Sequence, residues 1–243
     1  MKCFNADFHI HSCLSPCADL SMTPRFLARR LSELGIDWVA ITDHNSTRNL
    51  EPFSQAFTQA GIALLLGMEI QTQEDVHLLA YFPDFEQARS MGKLVESHLP
   101  VLEVDPERNG YQLEVDASDQ FTGMCEKALG FSTDLTLEQA VQATRQRNGE
   151  VVFAHVFRHF GVITQLGLLP ETLPDVPCEV YREDQLAGPF PWKGARTILC
   201  SSDAHHPDAL RPARMKVCAM NRSFEEFQKA LRKQEGRGIE LCH

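Results

Sequence analysis

Asp7-Phe8-His9-Ile10-His11-Ser12, with Asp19 closing the turn behind it, is the stretch around which this chain is organised. Successive side chains of a strand point to opposite faces, so residues i and i+2 share one. His9 and His11 therefore point the same way, two imidazoles side by side at a strand's end. Paired imidazoles suit a borderline divalent metal such as zinc, manganese or iron. One such pair is weak evidence alone. Its meaning depends on whether other strand ends supply further ligands.

Reading outward, residues 4–10 form a buried strand. Thr23-Pro24 then opens a helix, with Thr as N-cap and Pro at the first helical position. Phe26, Leu27, Leu31 and Leu34 are its apolar stripe, and Gly35 ends it. Residues 37–42 make a second strand, 48–60 a second helix, 62–66 a third strand, 75–82 a fourth, and 84–98 a further helix. Apolar runs rather than alternation suit strands covered on both faces. The order argues α/β with a parallel sheet. The pattern breaks over 99–133, which is acidic and weakly periodic and reads as an inserted loop or small cap. A helix over 137–147, started by Thr136 or Asp134, restores it. Strands follow at 151–154, 178–181 and 197–200, the first two separated by a long connection over 156–176. A further strand is predicted at 215–220, and Ser223 caps a last helix.

At 243 residues, 43% of them hydrophobic, the chain reads as one domain spanning 1–243 with a modest insertion. No apolar run reaches the ~18 residues of a membrane-spanning helix. The N-terminal residues lack the apolar stretch of a signal peptide. Eight scattered cysteines fit reduced thiols in a cytoplasm. The formal net charge of −10 and the absence of a long Lys/Arg run argue against a grip on long nucleic acid. A short nucleotide held through metals stays compatible with it. Glycine-rich phosphate loops are absent.

The polar residues gather at strand ends: His9 and His11, Thr42-Asp43-His44, Gly67-Met68-Glu69, His77, Ala154-His155, and Ser202-Asp203-Ala204-His205. Parallel strands would bring these ends to one face, the active face of a β/α barrel. Burying so many ionisable groups is costly unless metal ions compensate them.

These segments, in this order, resemble the PHP (polymerase and histidinol phosphatase) superfamily of metal-dependent phosphoesterases, in a stand-alone bacterial form. The matching motifs are Asp7-Phe8-His9-Ile10-His11-Ser12, Thr42-Asp43-His44-Asn45, Gly67-Met68-Glu69-Ile70, Ala154-His155 and Ser202-Asp203-Ala204-His205. The resemblance implies a distorted, TIM-like seven-stranded β/α barrel and a centre of two or three divalent ions, manganese, iron or zinc. By position His9, His11, Glu69 and Asp203 would hold one metal. Glu69 would bridge to a second, completed by His77 and His155. Asp19, His44 and His205 would hold a third. Asp7 and Asp43 would orient ligand imidazoles.

The chemistry expected is hydrolysis of a phosphomonoester or short nucleotide phosphate by a hydroxide acidified at the metals. Substrates of this kind include a 3′,5′-nucleoside bisphosphate, an oligonucleotide end or histidinol phosphate. Arg158 is the first candidate for a phosphate-binding guanidinium, ahead of Arg182 and Arg25. His206 could protonate a leaving group. His98, His159 and His243 read as surface or linker residues, and Cys13 and Cys17 as packing thiols. Two other readings stay open: a barrel hydrolase of C–N bonds, and a non-catalytic metal-binding module. Oligomeric state is not readable from the sequence, and no membrane partner is expected.

Overall fold

The apolar runs do become strands, and the computed structural model describes residues 1–182, 184–185 and 196–242 of the chain. His243 lies outside the described residues. The order runs β1 (Lys2–Ile10), α1 (Pro24–Glu33), β2 (Trp38–Ile41), α2 (Leu50–Gln59), β3 (Ala63–Gln71), β4 (His77–Phe82) and α3 (Phe85–Ser97). It continues through α4 (Pro106–Asn109), β5 (Leu113–Val115), β6 (Phe121–Met124), α5 (Leu137–Arg145), β7 (Glu150–Phe153) and α6 (Val162–Leu166). β8 (Cys178–Val180), β9 (Ile198–Cys200), β10 (Met215–Ala219), α7 (Phe224–Leu231) and β11 (Gly238–Leu241) complete it. Local chemistry sets several boundaries. Pro24 opens α1, Thr136 and Gln139 close a capping box on α5, and Ser223 accepts a hydrogen bond from Glu226 N at the start of α7. None of the described helices is long and apolar enough to cross a membrane.

One nine-stranded sheet has the order β11-β10-β1-β2-β3-β4-β7-β8-β9. The expectation of seven strands in a parallel barrel needs two corrections. β10 pairs antiparallel along Lys2–Ala6 of β1, and β11 along β10, so two further strands occupy the edge where β9 would close the barrel. Closure is left to the far end of β1, where His11 N donates to Ala204 O at 3.0 Å. The second correction is β4, which runs antiparallel to both β3 and β7. A reversed strand begins where its neighbours finish. His77, the first residue of β4, thus lies opposite Gln71, the last of β3.

Two apolar layers hold the sheet. Leu27, Leu31, Phe53, Phe57, Met91, Val95 and Val141 from α1, α2, α3 and α5 cover its outside. The inside is filled by Phe8, Trp38 and Tyr81, with Phe227 of α7 inserted among them. Their rings meet edge-on, Phe227 lying 5.1 Å from Phe8 and 5.2 Å from Tyr81. The Tyr81 hydroxyl donates to Phe8 O at 2.8 Å, which satisfies its one polar atom.

Residues 99–133 carry the β5–β6 hairpin and the short α4. The segment is bound to the motif loops. Leu113 N donates to Cys13 O, and the Asn49 amide bonds Leu113 O and Val115 N. Gly110, at φ +90°, sits where an added Cβ would fall 1.9 Å from Pro16 O, so only glycine fits there. The thiols also depart from expectation. The β1–β10 register sets Cys3 opposite Cys218, and the two form a disulfide, while the other six cysteines form none.

Phe227→Ala should lower unfolding free energy by about 3–5 kcal/mol, because the plug leaves a cavity between fixed rings. Urea unfolding at unchanged m-value measures this. A loss below about 1 kcal/mol would mean that Phe227 does not hold the interior.

Candidate metal centre

The register of β1 against β2 shifts between Asp7 and Ile10, so β1 carries one extra residue there. Such a bulge re-aims the side chains beyond it. Phe8 joins the interior aromatics, Ile10 joins the outer layer, and His9 turns inward beside its own neighbour. His11 follows on the same side, and the two Nε2 atoms lie 3.2 Å apart.

Glu69 projects from β3 into the middle of the cluster and has no solvent exposure. Five imidazoles surround its carboxylate. His77 Nδ1, His9 Nε2 and His155 Nε2 lie 2.9, 3.2 and 3.2 Å from Oε1, and His44 Nδ1 and His11 Nε2 lie 3.1 and 3.3 Å from Oε2. Asp203 Oδ1 stands 3.2 Å from His9 Nε2 and 3.5 Å from His205 Nδ1. The His205 ring stacks on His11 with centroids 3.8 Å apart. Asn45, His155, Phe160 and Asp203 all hold positive φ without being glycine, a backbone cost concentrated at one place.

The charges here are strongly coupled. Burial raises the Glu69 carboxyl, but His77, His9 and His44 outweigh it and hold the group well below its ordinary value. Burial disfavours charge on His44, yet Glu69 beside it pushes the imidazole up to about 10. At His77 burial wins over Glu69 and lowers the group to about 4. His205 falls to about 3 through burial and its stack on His11, against the pull of Asp203.

Several buried atoms in this cluster make no hydrogen bond: His44 Nδ1, Glu69 Oε2, His77 Nε2, His155 Nδ1 and Asp203 Oδ1. Metal–nitrogen bonds of ~2.1 Å set donor atoms about 3.0–3.4 Å apart at octahedral or tetrahedral angles. The separations above match that spacing. Four overlapping groups could each hold a cation: His9/His11/Glu69, His9/His155/Asp203, His44/Glu69/His77 and His11/His44/His205. The donor set of imidazoles and carboxylates suits borderline divalent metals.

Of the nine expected ligands, eight converge and Asp19 does not. Asp19 is exposed, and its Oδ1 accepts from Ser21 N and Oγ at 2.8 and 2.6 Å. Arg158 lies at the mouth, donates to Asp203 Oδ2, and stacks over Tyr181 at 4.7 Å. Arg25 is bonded to Ser118 and Arg182 to Asp184, both away from the cluster. His206 is exposed, near Asp19, and does not line the cavity over the ligands.

The orienting groups differ from those expected. Asp43 acts through a hydroxyl, accepting from Ser15 Oγ at 2.7 Å while Ser15 Oγ meets His11 Nδ1 at 2.9 Å. Asp7 binds backbone instead, at Ser202 N and His9 N, and burial raises its carboxyl to about 6. Glu179 holds His9 Nδ1 at 2.8 Å and His155 N at 3.0 Å. Sequence reasoning missed Glu179. Its signal was a carboxylate in the apolar run Cys178-Glu179-Val180, where burial requires a partner. His159 and Cys17, read as surface and packing residues, both line the cavity.

The PHP domain family matches residues 7–153. The 5′-3′ exoribonuclease Rnm of Escherichia coli is 36% identical over 73 residues, which is 29% of this chain and 24% of that protein. The fold is similar to the lesion-specific endonuclease Q of Pyrococcus furiosus, with TM-score 0.73 and 19% identity. That likeness covers 98% of this chain and 58% of the endonuclease. It is also similar to a metal-dependent phosphoesterase from Bifidobacterium adolescentis, with TM-score 0.56 and 20% identity over 94% of this chain and 96% of that one. With the family's match spanning most of the chain and its histidine and carboxylate positions meeting in one buried cluster, this chain belongs to the PHP domain family of metal-dependent hydrolases.

Proposed function

We propose that this protein is a metal-dependent phosphoesterase acting on a phosphomonoester or on the end of a short nucleotide chain. The observation that carries this reading is the Glu69 carboxylate, buried among five imidazoles and beside Asp203. His9, His11, Glu69 and Asp203 would hold one divalent ion, and Glu69, His77 and His155 a second. His44 and His205 would contribute to a third, with His11 at hand; Asp19 would have to leave Ser21 to join them. Manganese, iron or zinc suits these donors. When bound, the ions would supply an acidified water and neutralise charge on the phosphoryl oxygens.

The remaining work falls to the chain's own groups. Arg158 binds a phosphoryl oxygen in place of Asp203, keeping its stack on Tyr181. Glu179 and the Ser15–Asp43 pair fix the rings of His9 and His11, so that Nε2 is the free nitrogen of each. The relatives' names, an exoribonuclease and a lesion-specific endonuclease, extend the substrate class toward nucleic acids, and the net charge of −10 favours short ones. We also propose that the chain works as one PHP domain whose 99–133 insertion shapes the pocket. We keep to a cytoplasmic setting, which six cysteines outside any disulfide favour and the Cys3–Cys218 bond does not.

Manganese-loaded protein should release phosphate from at least one of adenosine 3′,5′-bisphosphate, nucleoside 3′- and 5′-monophosphates, histidinol phosphate or a short oligonucleotide. Asp203→Asn should abolish that release. No release with bound metal intact would refute these substrates. Arg158→Ala should raise KM or lower kcat at unchanged metal content, and unchanged kinetics would remove Arg158 from the site. Glu179→Ala should weaken metal affinity about 10–100-fold, measured by chelator competition. Equal affinity would show that His9 is held without it.

A further inference from the structure

The register that sets Cys3 of β1 opposite Cys218 of β10 places both side chains on one face of the sheet, because directly opposed residues of an antiparallel ladder share a face. β11 pairs on the other side of β10, with Gly238 opposite Cys218 and Glu240 opposite Lys216. Residues two apart share that face too, so Glu240 stands diagonally beside Cys218. Gly238 leaves the gap between them open, since a Cβ built on it would meet nothing within 4 Å. The Glu240 carboxylate uses that gap: one of its oxygens and the two sulfurs all lie within 4.8 Å of one another. Lys216, its direct partner across the ladder, makes no ion pair with it among the described residues. Cys3 and Glu240 are exposed, and Cys218 is buried. The trio sits at the start of β1, six residues before His9. At ~3.3 Å per residue that is about 20 Å from the centre around Glu69.

We propose that, once the Cys3–Cys218 bond is reduced, Cys3, Cys218 and Glu240 hold a thiophilic divalent cation of the zinc class, at a site separate from the histidine and carboxylate centre. Two thiolates and one carboxylate oxygen form a donor set that selects zinc over magnesium or calcium. Zinc–sulfur bonds of ~2.3 Å at a tetrahedral angle place two sulfurs about 3.8 Å apart. Side chains directly opposite on paired strands have Cβ atoms ~4.5–5.5 Å apart and reach that spacing by side-chain rotation, with the strands unmoved. The exposed side of the trio leaves the fourth position to water. The same two cysteines are therefore a disulfide when oxidised and a cation clamp when reduced. A cytoplasmic thiol pool keeps such pairs reduced, and the six cysteines outside any disulfide favour that setting. Opening the bond consumes two small-molecule thiols. The protein S–S bond breaks, the small thiols are oxidised to their own disulfide, and Cys3 and Cys218 take up the two protons. Cation binding then releases those protons, because the thiolate is the ligand.

The test uses the whole chain, reduced with a dithiol, freed of reductant and shown by thiol titration to carry eight thiols. Cadmium, a spectroscopic stand-in for zinc, is then titrated in. The readout is the ultraviolet thiolate-to-cadmium charge-transfer band gained over the oxidised protein. Reduction should add that band at one further cadmium per chain. Cys3→Ser should remove the gain. Glu240→Gln should weaken the affinity behind it at least about tenfold, the low end of what even an outer partner of a metal ligand is worth. Cys17→Ser should leave the gain intact, because that thiol lines the cavity over the other centre. No gain on reduction, a gain that survives Cys3→Ser or is lost in Cys17→Ser, or equal affinity in Glu240→Gln overturns the proposal. So does a pair that resists the dithiol while the chain stays folded. If circular dichroism shows that Cys3→Ser does not fold, reduced against oxidised wild type and Glu240→Gln decide the matter.

Discussion

The Glu69 carboxylate is the constraint to which the rest of this protein answers. A buried, ionised carboxylate costs several kcal/mol unless opposite charge and hydrogen bonds compensate it. Here compensation comes from imidazoles on β1, β2's exit, β4 and β7's exit, all within 3.3 Å of its oxygens. These elements are far apart in sequence, so the sheet must wrap to bring them together. The bulge in β1 and the reversal of β4 both serve that convergence. One turns His9 inward beside Phe8, and the other starts β4 with His77 against the end of β3.

Polar convergence at one end of the barrel is backed by an interior filled with buried apolar side chains. Phe8, Trp38, Tyr81 and Phe227 fill that interior, and Phe8 is chain neighbour to His9. Packing of the aromatic plug is thereby coupled to the position of the first imidazole. Glu179 and the Ser15–Asp43 pair complete the restraint by occupying the Nδ1 side of His9 and His11. Ligand rings fixed on one nitrogen present the other, the usual logic of a carboxylate behind a metal-binding histidine.

The insertion supplies part of the wall beside the ligands. Its acidic surface, its hydrogen bonds to Asn45 and Asn49, and its close approach at Gly110 belong to this chain's pocket wall rather than to the barrel. A common scaffold with a variable wall is how one barrel supports several substrates. In this chain Asn109 and Gly130 of that wall line a cavity of about 250 Å³ beside the ligands.

The sequence by itself determined the α/β class, most element positions and eight of the residues that meet in the cluster. These were legible because strand ends, HxH spacing and Asp-Ala-His are local signals, and because charge in apolar runs demands compensation. Helix starts were legible for the same reason, as at Thr136 and Ser223, where the cap is a short-range hydrogen bond. Glu179, the Cys3–Cys218 pair, the placement of His159 and Cys17 in the cavity, and the exposure of Asp19 were not. Each depends on pairing across long sequence separation: Glu179 with His9 170 residues away, Cys3 with Cys218 215 residues away. The antiparallel course of β4, the antiparallel pairing of β10 on β1 and the strand β11 belong to the same class. Strand direction and sheet order are set by which edges meet after collapse, and a strand's own residues carry the alternation of faces but not the identity of its neighbour.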